Sequence, residues 1–488
     1  MQMSFKDELG IVRHSFTMSL WDEKEASMLE TTTVSRRFVG IAHRVKKTAK
    51  GEARPTLVFV SNGDEETNHE LADEQAELDF VLGVFPTEWR KVGDEEDLSK
   101  THPHHIKWKR CSEEDAKALP PSHVKKEGKQ FFLANQVPLA YDGLRKSDIV
   151  AMVLGGSGDY LAFALSRKAQ EIGATVLRTP PFFLKRERGD GDKKDDAQLL
   201  AKMVMDKPGP FRPVSERDRK IIMVRECLRA RTDAMKARIA CGQRLRQRFI
   251  GKVFCNPEGL YPEGAIEMAF GAERANDMIM QSHLNEEAER ERELVKMAKV
   301  VEIWKKTLES VEGCSPIMAA HLIAAVGDIR LFQVPPDYTG ATTEEEMRRR
   351  RCKALDRGAA RLKAFFGVHV RNGGKYENVP AEKQFPRKRL GEVANWDKGA
   401  RQALWLMGEQ FCYRPDSYWG RYLRKMKANL RQKHPAAVEE ERYGKPVLRW
   451  TDAHVHRTAT WRTLSRFVEW LHHEWLRVAE EKTQEQAA

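Results

Sequence analysis

Apolar residues fall in short unbroken runs through the first 200 or so positions and at helical spacing after that. Arg37–Ala42 and Thr56–Val60 are compact and β-branched, with the turn signal Lys50-Gly51-Glu52 between them, and predict two strands. Asp148–Leu154 predicts a buried strand that runs into the glycine turn Gly155–Tyr160. A helix to Ile172, a stop at Gly173, a strand at Thr175–Leu177 and Pro180-Pro181 follow. Strand, glycine turn, helix and strand make an α/β unit with a right-handed crossover. Residues 1–33 lack periodicity and read as an arm. The acid-rich stretch and a histidine-rich loop between the strands read as an insertion, about 61–145.

After Pro208-Gly209-Pro210 the period changes. Residues 216–250 predict one long helix with eleven Lys/Arg against four acids. A Gly/Pro-rich connection leads to a second helix over 284–312. Its apolar residues Leu294, Met297, Val301, Trp304, Leu308 and Val311 are spaced 3-4-3-4-3, a coiled-coil seam. The same spacing serves a bundle core. The basic first helix favours an antiparallel arm that also touches nucleic acid. Beyond Gly313 the pattern is helical and compact: a small apolar segment Ile317–Val326, then helices over 344–362, 398–411, 418–432 and 456–480. The expected organisation is an arm (1–33), an α/β domain (34–207), a coiled-coil region (208–312) and a helical domain (313–482).

Charge narrows the function. The chain carries a formal +12, and it is segregated: Gly63–Asp79 holds eight acids and no Lys or Arg, while Tyr418–Ala437 holds six Lys/Arg and no acid. Such a layout suits one surface meeting phosphate while another stays in water. No run reaches the ~18 apolar residues of a membrane span, and the N-terminus lacks a signal-peptide layout. Seven dispersed cysteines without a CxxC pair fit reduced thiols in a cytosolic protein. His102-Pro103-His104-His105, with Cys111 nearby, has metal-binding residue types. It lacks a second ligand pair at finger-like spacing, so it reads as a polar loop.

Several motifs in a fixed order carry a resemblance. Asp196–Ala201 follows a strand and a Lys/Arg-rich loop; then come Phe211–Val214, the basic helix ending Gln243–Arg246, Gly313–Asp328, Leu362–Val368 and Ala400–Leu404. In this order, over about 150–480, the chain resembles the DEDD transposases, bridge-RNA-guided recombinases with a RuvC-like domain, a coiled coil and a helical domain. The segment from Gly313 also resembles the Nop domain of box C/D guide-RNA proteins. The Tas proteins of tandem-interspaced-guide-RNA systems join a Nop-like region, in one branch, to a RuvC nuclease. The resemblance implies α/β plus all-α architecture: a RuvC-like (RNase H-like) domain, a long antiparallel coiled-coil arm and a Nop-like helical domain. It also implies a guide RNA, target DNA, a homodimer through the arm, and a prokaryotic or phage-encoded cytoplasmic protein.

A RuvC-like nuclease needs three or four carboxylates converging on two Mg²⁺ ions. Where the resemblance expects the first acid, the chain reads Gly40-Ile41-Ala42. The Ser157–Tyr160 turn matches, but Gly155 holds the expected glutamate position, leaving Asp159 to supply the second acid. Asp196-Ala197 fits the second member of the last pair and Lys193 occupies the first; Asp192 and Asp195 serve if the register slips by one. Asp192, Asp195 and Asp196 are therefore the metal candidates, with a solvated helix N-terminus as the plain alternative. Without Ala42's carboxylate this chain should cleave poorly or not at all, through loss of cleavage in its lineage or through an Asp→Ala substitution. The recombinases also need a serine nucleophile, yet no serine lies between Ser315 and Ser417 and no threonine between Thr343 and Thr451; Gly373-Gly374 stands where the serine is expected. Ser315 reads as a helix cap. That argues against strand transfer. Arg371, Lys375, Arg387, Lys388, Arg389, Lys398, Arg401, Arg421, Arg424, Lys425 and Lys427 are candidate phosphate contacts. Tyr376, Trp396, Tyr418, Trp419 and Tyr422 are candidates to stack on unpaired bases, with a core role equally open for Trp396 and Trp419.

Overall fold

The computed structural model describes residues 5–6, 12–13, 36–44, 47, 50–63, 65–93, 96–117, 119–153, 155, 158–259, 264–334, 336–370, 375–376, 379–380, 385–386, 394, 396–442 and 445–487. They form a mixed α/β protein with two compact units, one within Ser27–Glu216 and one within Arg217–Ala488. The helical region is therefore a single unit, undivided at 312. The 1–33 arm lies almost wholly outside the described residues.

The first unit is built on a six-stranded sheet. Its strands are β1 (Phe38–Ala42), β2 (Thr56–Ser61), β3 (Glu66–Leu71), then β8 (Ile149–Val153), β9 (Thr175–Thr179) and the short β10 (Arg212–Pro213), in the order β10-β9-β8-β1-β2-β3. β1–β2–β3 is an antiparallel meander, while β8 runs parallel to β1 and β9 parallel to β8. Alternation gives β1 two buried faces. Val39 and Ile41 join Val58, Val60, Phe80, Leu161 and Leu165 on one side. On the other, Ala42 joins Phe59, Ala197 and Ala201.

Helix α1 (Glu74–Leu82) starts where the Asp73 carboxylate accepts from the Ala76 amide and stops at Gly83, whose φ of 78° suits glycine. Helix α2 (Asp159–Ile172) bridges β8 and β9; α3 (Pro181–Arg188) and α4 (Asp196–Asp206) follow β9. Glu66–Leu82 thus supplies a core strand and a covering helix, which corrects the expected insertion boundary. The inserted part is narrower: β4 (Phe85–Lys91), β5 (Lys107–Cys111), β6 (Val124–Glu127) and β7 (Gln130–Asp142), a separate sheet ordered β4-β7-β5 with β6 also paired to β7. At its exit, Arg37 bonds Asp142 and Asp148 at 2.8 Å each, both acids being nearly buried. Burial alone would raise the Asp142 carboxyl, but hydrogen bonds from His69 and Arg37 outweigh it and hold it well below the carboxylate range.

The second unit opens with α5 (Glu216–Phe254), packed against α6 (Ile266–Asn276) and α7 (Met278–Lys299) through Cys241, Leu245, Phe249, Phe270 and Met280. The pairing is antiparallel: Arg231 meets Glu287 and Glu291, Arg238 meets Glu287, and Arg246 meets Glu267. The predicted second helix does not run to 312. It stops at Lys299, Val301 is extended, and the short α8 (Glu302–Lys306) restarts it. Leu294, Val301, Trp304, Leu308 and Val311 are buried in the core of this unit, so the seam serves the bundle there. Around it pack α9 (Pro316–Val326), α10 (Glu344–Phe365), α11 (Lys398–Tyr413), α12 (Tyr418–Lys433) and α13 (Asp452–Ala487). Ser315 caps α9, accepting from the Met318 amide at 3.2 Å.

Candidate functional site: one end of the central sheet and a basic helix

β1 and β8 are parallel neighbours with Gly40 opposite Ala151 and Ile41 opposite Met152. Ala42 is therefore level with Val153, two residues before Gly155. Above them, α4 lies unusually close to β1: a Cβ on Gly40 would stand 1.8 Å from the Ala197 carbonyl oxygen. Only glycine admits that approach, and it seats the first turn of α4, which starts with Asp196, beside Ala42. Two positions where the resemblance places acids, Ala42 and Asp196, thus lie together at the C-terminal edge of β1 although far apart in sequence, and the neighbouring β8 leads toward the third, Gly155.

The carboxylates that remain are engaged. Asp159 and Arg178 are both buried and form a 2.5 Å ion pair, with Arg178 Nε also donating to the Val153 carbonyl. Arg188 Nη1 contacts both oxygens of Asp196 at 2.8 Å. Asp192 caps the turn at 193–195, accepting from the Lys194 amide at 3.0 Å, and Asp195 is exposed at the start of α4. Among the described residues, Asp159, Asp192, Asp195 and Asp196 do not gather into one ligand set. A two-Mg²⁺ centre does not fit: Ala42 offers no oxygen, and arginines hold Asp159 and Asp196. Asp192 and Asp195 lie at the starts of the 193–195 turn and of α4.

A group the sequence reading missed lies at the same end. Glu77 is buried; Thr56 Oγ1 donates to its Oε1 at 2.6 Å, and His43 Nε2 is 3.4 Å from the same oxygen. A Cβ on Gly158 would touch the His43 Cβ at 3.3 Å. Glu77 sits one turn before Phe80 and Val81, on the stripe that α1 turns to the core. An acid at a core-facing position was the available signal.

The expected phosphate contacts divide. Arg371, Arg387, Lys388 and Arg389 lie outside the described residues, as do the side chains of Lys375 and Tyr376. Arg401 is not free to meet phosphate: its guanidinium is 4.7 Å from the ring centres of both Trp396 and Trp461, and it donates to the Pro386 carbonyl. Burial pulls its pKa down. Trp419 is core, ringed by Phe411, Phe467 and Trp470. Lys398 is exposed at the start of α11. Helix α12 keeps its basic face: Trp419, Leu423 and Leu430 are buried, Arg421, Arg424 and Lys425 are exposed, and Lys427 is half-buried. Arg424 pairs with the exposed Asp416, a contact of little energetic weight in water. The α5 arginines are less available than their number suggested, since Arg231, Arg238 and Arg246 are matched by acids of α6 and α7.

With this geometry in view, comparison with protein-family models and with curated proteins gives no match to the chain. No helix among the described residues is long and apolar enough to cross a membrane.

Proposed function

We propose that this chain is a guide-RNA-directed DNA-targeting protein whose α/β unit is a RuvC-like domain that binds without cutting. The observation that carries the reading is the convergence at the sheet edge. A central first strand, an antiparallel meander on one side and parallel strands on the other is the arrangement an RNase H-like domain calls for, by analogy of fold. Two positions that correspond to catalytic acids in the resemblance, occupied by Ala42 and an arginine-bound Asp196, lie together there, and β8 leads toward the third, at Gly155. On this reading the exposed cations of α12, with Lys398 at the start of α11, hold the phosphates of a structured RNA, and base pairing by that RNA selects the DNA.

The test is to purify the full chain from its native host and sequence the nucleic acid that copurifies. One discrete, structured RNA species supports the reading; absence of RNA, or random fragments, removes it. Two rivals have their own outcomes. A transposase would leave a covalent protein–DNA adduct on incubation with donor and target DNA, which the lack of a serine or threonine between Thr343 and Ser417, where the resemblance expects the serine nucleophile, argues against. A competent nuclease would nick guide-matched DNA with Mg²⁺ once Ala42→Asp is made. The arginine-bound state of Asp159 and Asp196 predicts that this variant stays silent.

A further inference from the structure

The histidine-rich loop has a partner that sequence spacing did not show. His104 and His105 lie on a short 3₁₀ turn, Pro103–His105, in the inserted part, and both turn their Nε2 atoms toward Asp79 on α1. Asp79 Oδ1 is 3.0 Å from His104 Nε2, and Oδ2 is 2.9 Å from His105 Nε2. One ligand atom from each residue lies within 4.8 Å of the others. Asp79 and His105 are buried, while the His104 side chain is 30% exposed. Glu77 is two residues from Asp79, so the two acids leave the helix on different faces. The trio is thus separate from the sheet-edge cluster.

Protons alone satisfy this arrangement poorly. His104 Nε2 is 3.0 Å from Asp79 Oδ1 and 3.2 Å from the Gln75 amide nitrogen, so it must donate to one and accept from the other. Its Nδ1 contacts His102 Nδ1. The rings of His102, His104 and His105 cluster with centroids 4.1 to 6.1 Å apart around a single carboxylate. A divalent cation removes the conflict. Both Nε2 lone pairs and the Asp79 carboxylate point inward as ligands. His104 Nδ1–H then donates to His102, and Gln75, 3.0 Å from Asp79 Oδ1, donates to the carboxylate. Both are outer contacts that orient a ligand. With ligand distances of about 2.0–2.2 Å, the two Nε2–Oδ separations need open by only a few tenths of an ångström.

We propose that Asp79, His104 and His105 bind a zinc-class divalent transition metal that clamps the inserted sheet to helix α1. Two imidazoles and one carboxylate favour a borderline cation such as Zn²⁺ over the all-oxygen preference of Mg²⁺ or Ca²⁺. His104 is the exposed ligand of the three, the side open to a water or a further ligand. Cys111 takes no part in the trio.

The test uses the full chain, chelator-treated and dialysed into metal-free buffer. Titration with Co²⁺ is expected to give the visible absorption of a tetrahedral site, saturating near one equivalent. Zn²⁺ is expected to displace it and to raise Tm. His104→Ala, at the partly exposed ligand, is expected to abolish the Co²⁺ band with the far-UV spectrum unchanged. His102→Ala is expected to weaken binding by roughly 10–100-fold, as loss of an orienting contact does. Absence of the tetrahedral band in the wild-type chain, or a band unchanged in folded His104→Ala, would show the trio to be a hydrogen-bonded cluster and overturn the proposal.

Discussion

At the scale of single residues, the chemistry is set by which charges are paired and where. The Asp159–Arg178 pair has side chains 3% and 4% exposed. Removing one partner strands a buried charge, so Asp159→Ala is expected to cost about 3–5 kcal/mol in urea unfolding, while Asp159→Ala/Arg178→Met recovers most of it. A purely catalytic Asp159 would leave stability unchanged. His472 is fully buried and neither ring nitrogen has a hydrogen-bond partner among the described residues. Burial pushes its pKa down from the ordinary 6.5 to about 3. Between those values the unfolded chain takes up a proton that the native state refuses, so stability falls as pH drops through that window. The loss is roughly 2 kcal/mol at about pH 5. His472→Leu should flatten this acid limb; an unchanged pH profile would mean that His472 is solvated.

At the scale of elements, α4 sits on β1 with no room for a side chain between them. The Ala197 carbonyl oxygen is 1.8 Å from the point a Cβ on Gly40 would occupy, so Gly40→Ala must push the helix off the strand. The expected cost is about 3 kcal/mol, seen as a lower urea midpoint. The same elements show what could be read in advance. β1, β2, β8, α2 and α5 announce themselves, because unbroken apolar runs and long helical periods persist only where packing uses them. β3 does not. Its sequence, Glu66–Leu71, buries only Leu71 because it is an edge strand with water on its outer side, and polar edges are favoured. The break at Val301 was hidden for another reason: residues spaced 3-4-3 pack into a core whether or not the helix between them is continuous. At the sheet edge, the positions of Ala42 and Asp196 were legible from motif order, but the arginines that neutralise Asp159 and Asp196, Arg178 and Arg188, were not. Such pairing depends on side chains brought together by tertiary structure. Glu77 and Asp79 were lost within an acid-rich stretch that looked uniformly solvated, though two of its acids face inward.

At the scale of the whole molecule, the two units divide the work proposed for them. One presents the sheet edge at Ala42, and the other presents the basic face of α12. Helix α12 has no acid of its own, although Arg424 and Arg431 pair with the exposed Asp416 and Asp452, whereas Arg231, Arg238 and Arg246 of α5 are matched by acids of α6 and α7. The central claim is that a bound RNA chooses the DNA. The direct measurement is to replace the unpaired segment of the copurifying RNA with a second sequence, reassemble it on the full chain, and record which duplex is retained from a mixture. Retention that follows the new sequence, without cleavage, is predicted; retention that ignores the exchange would contradict the account.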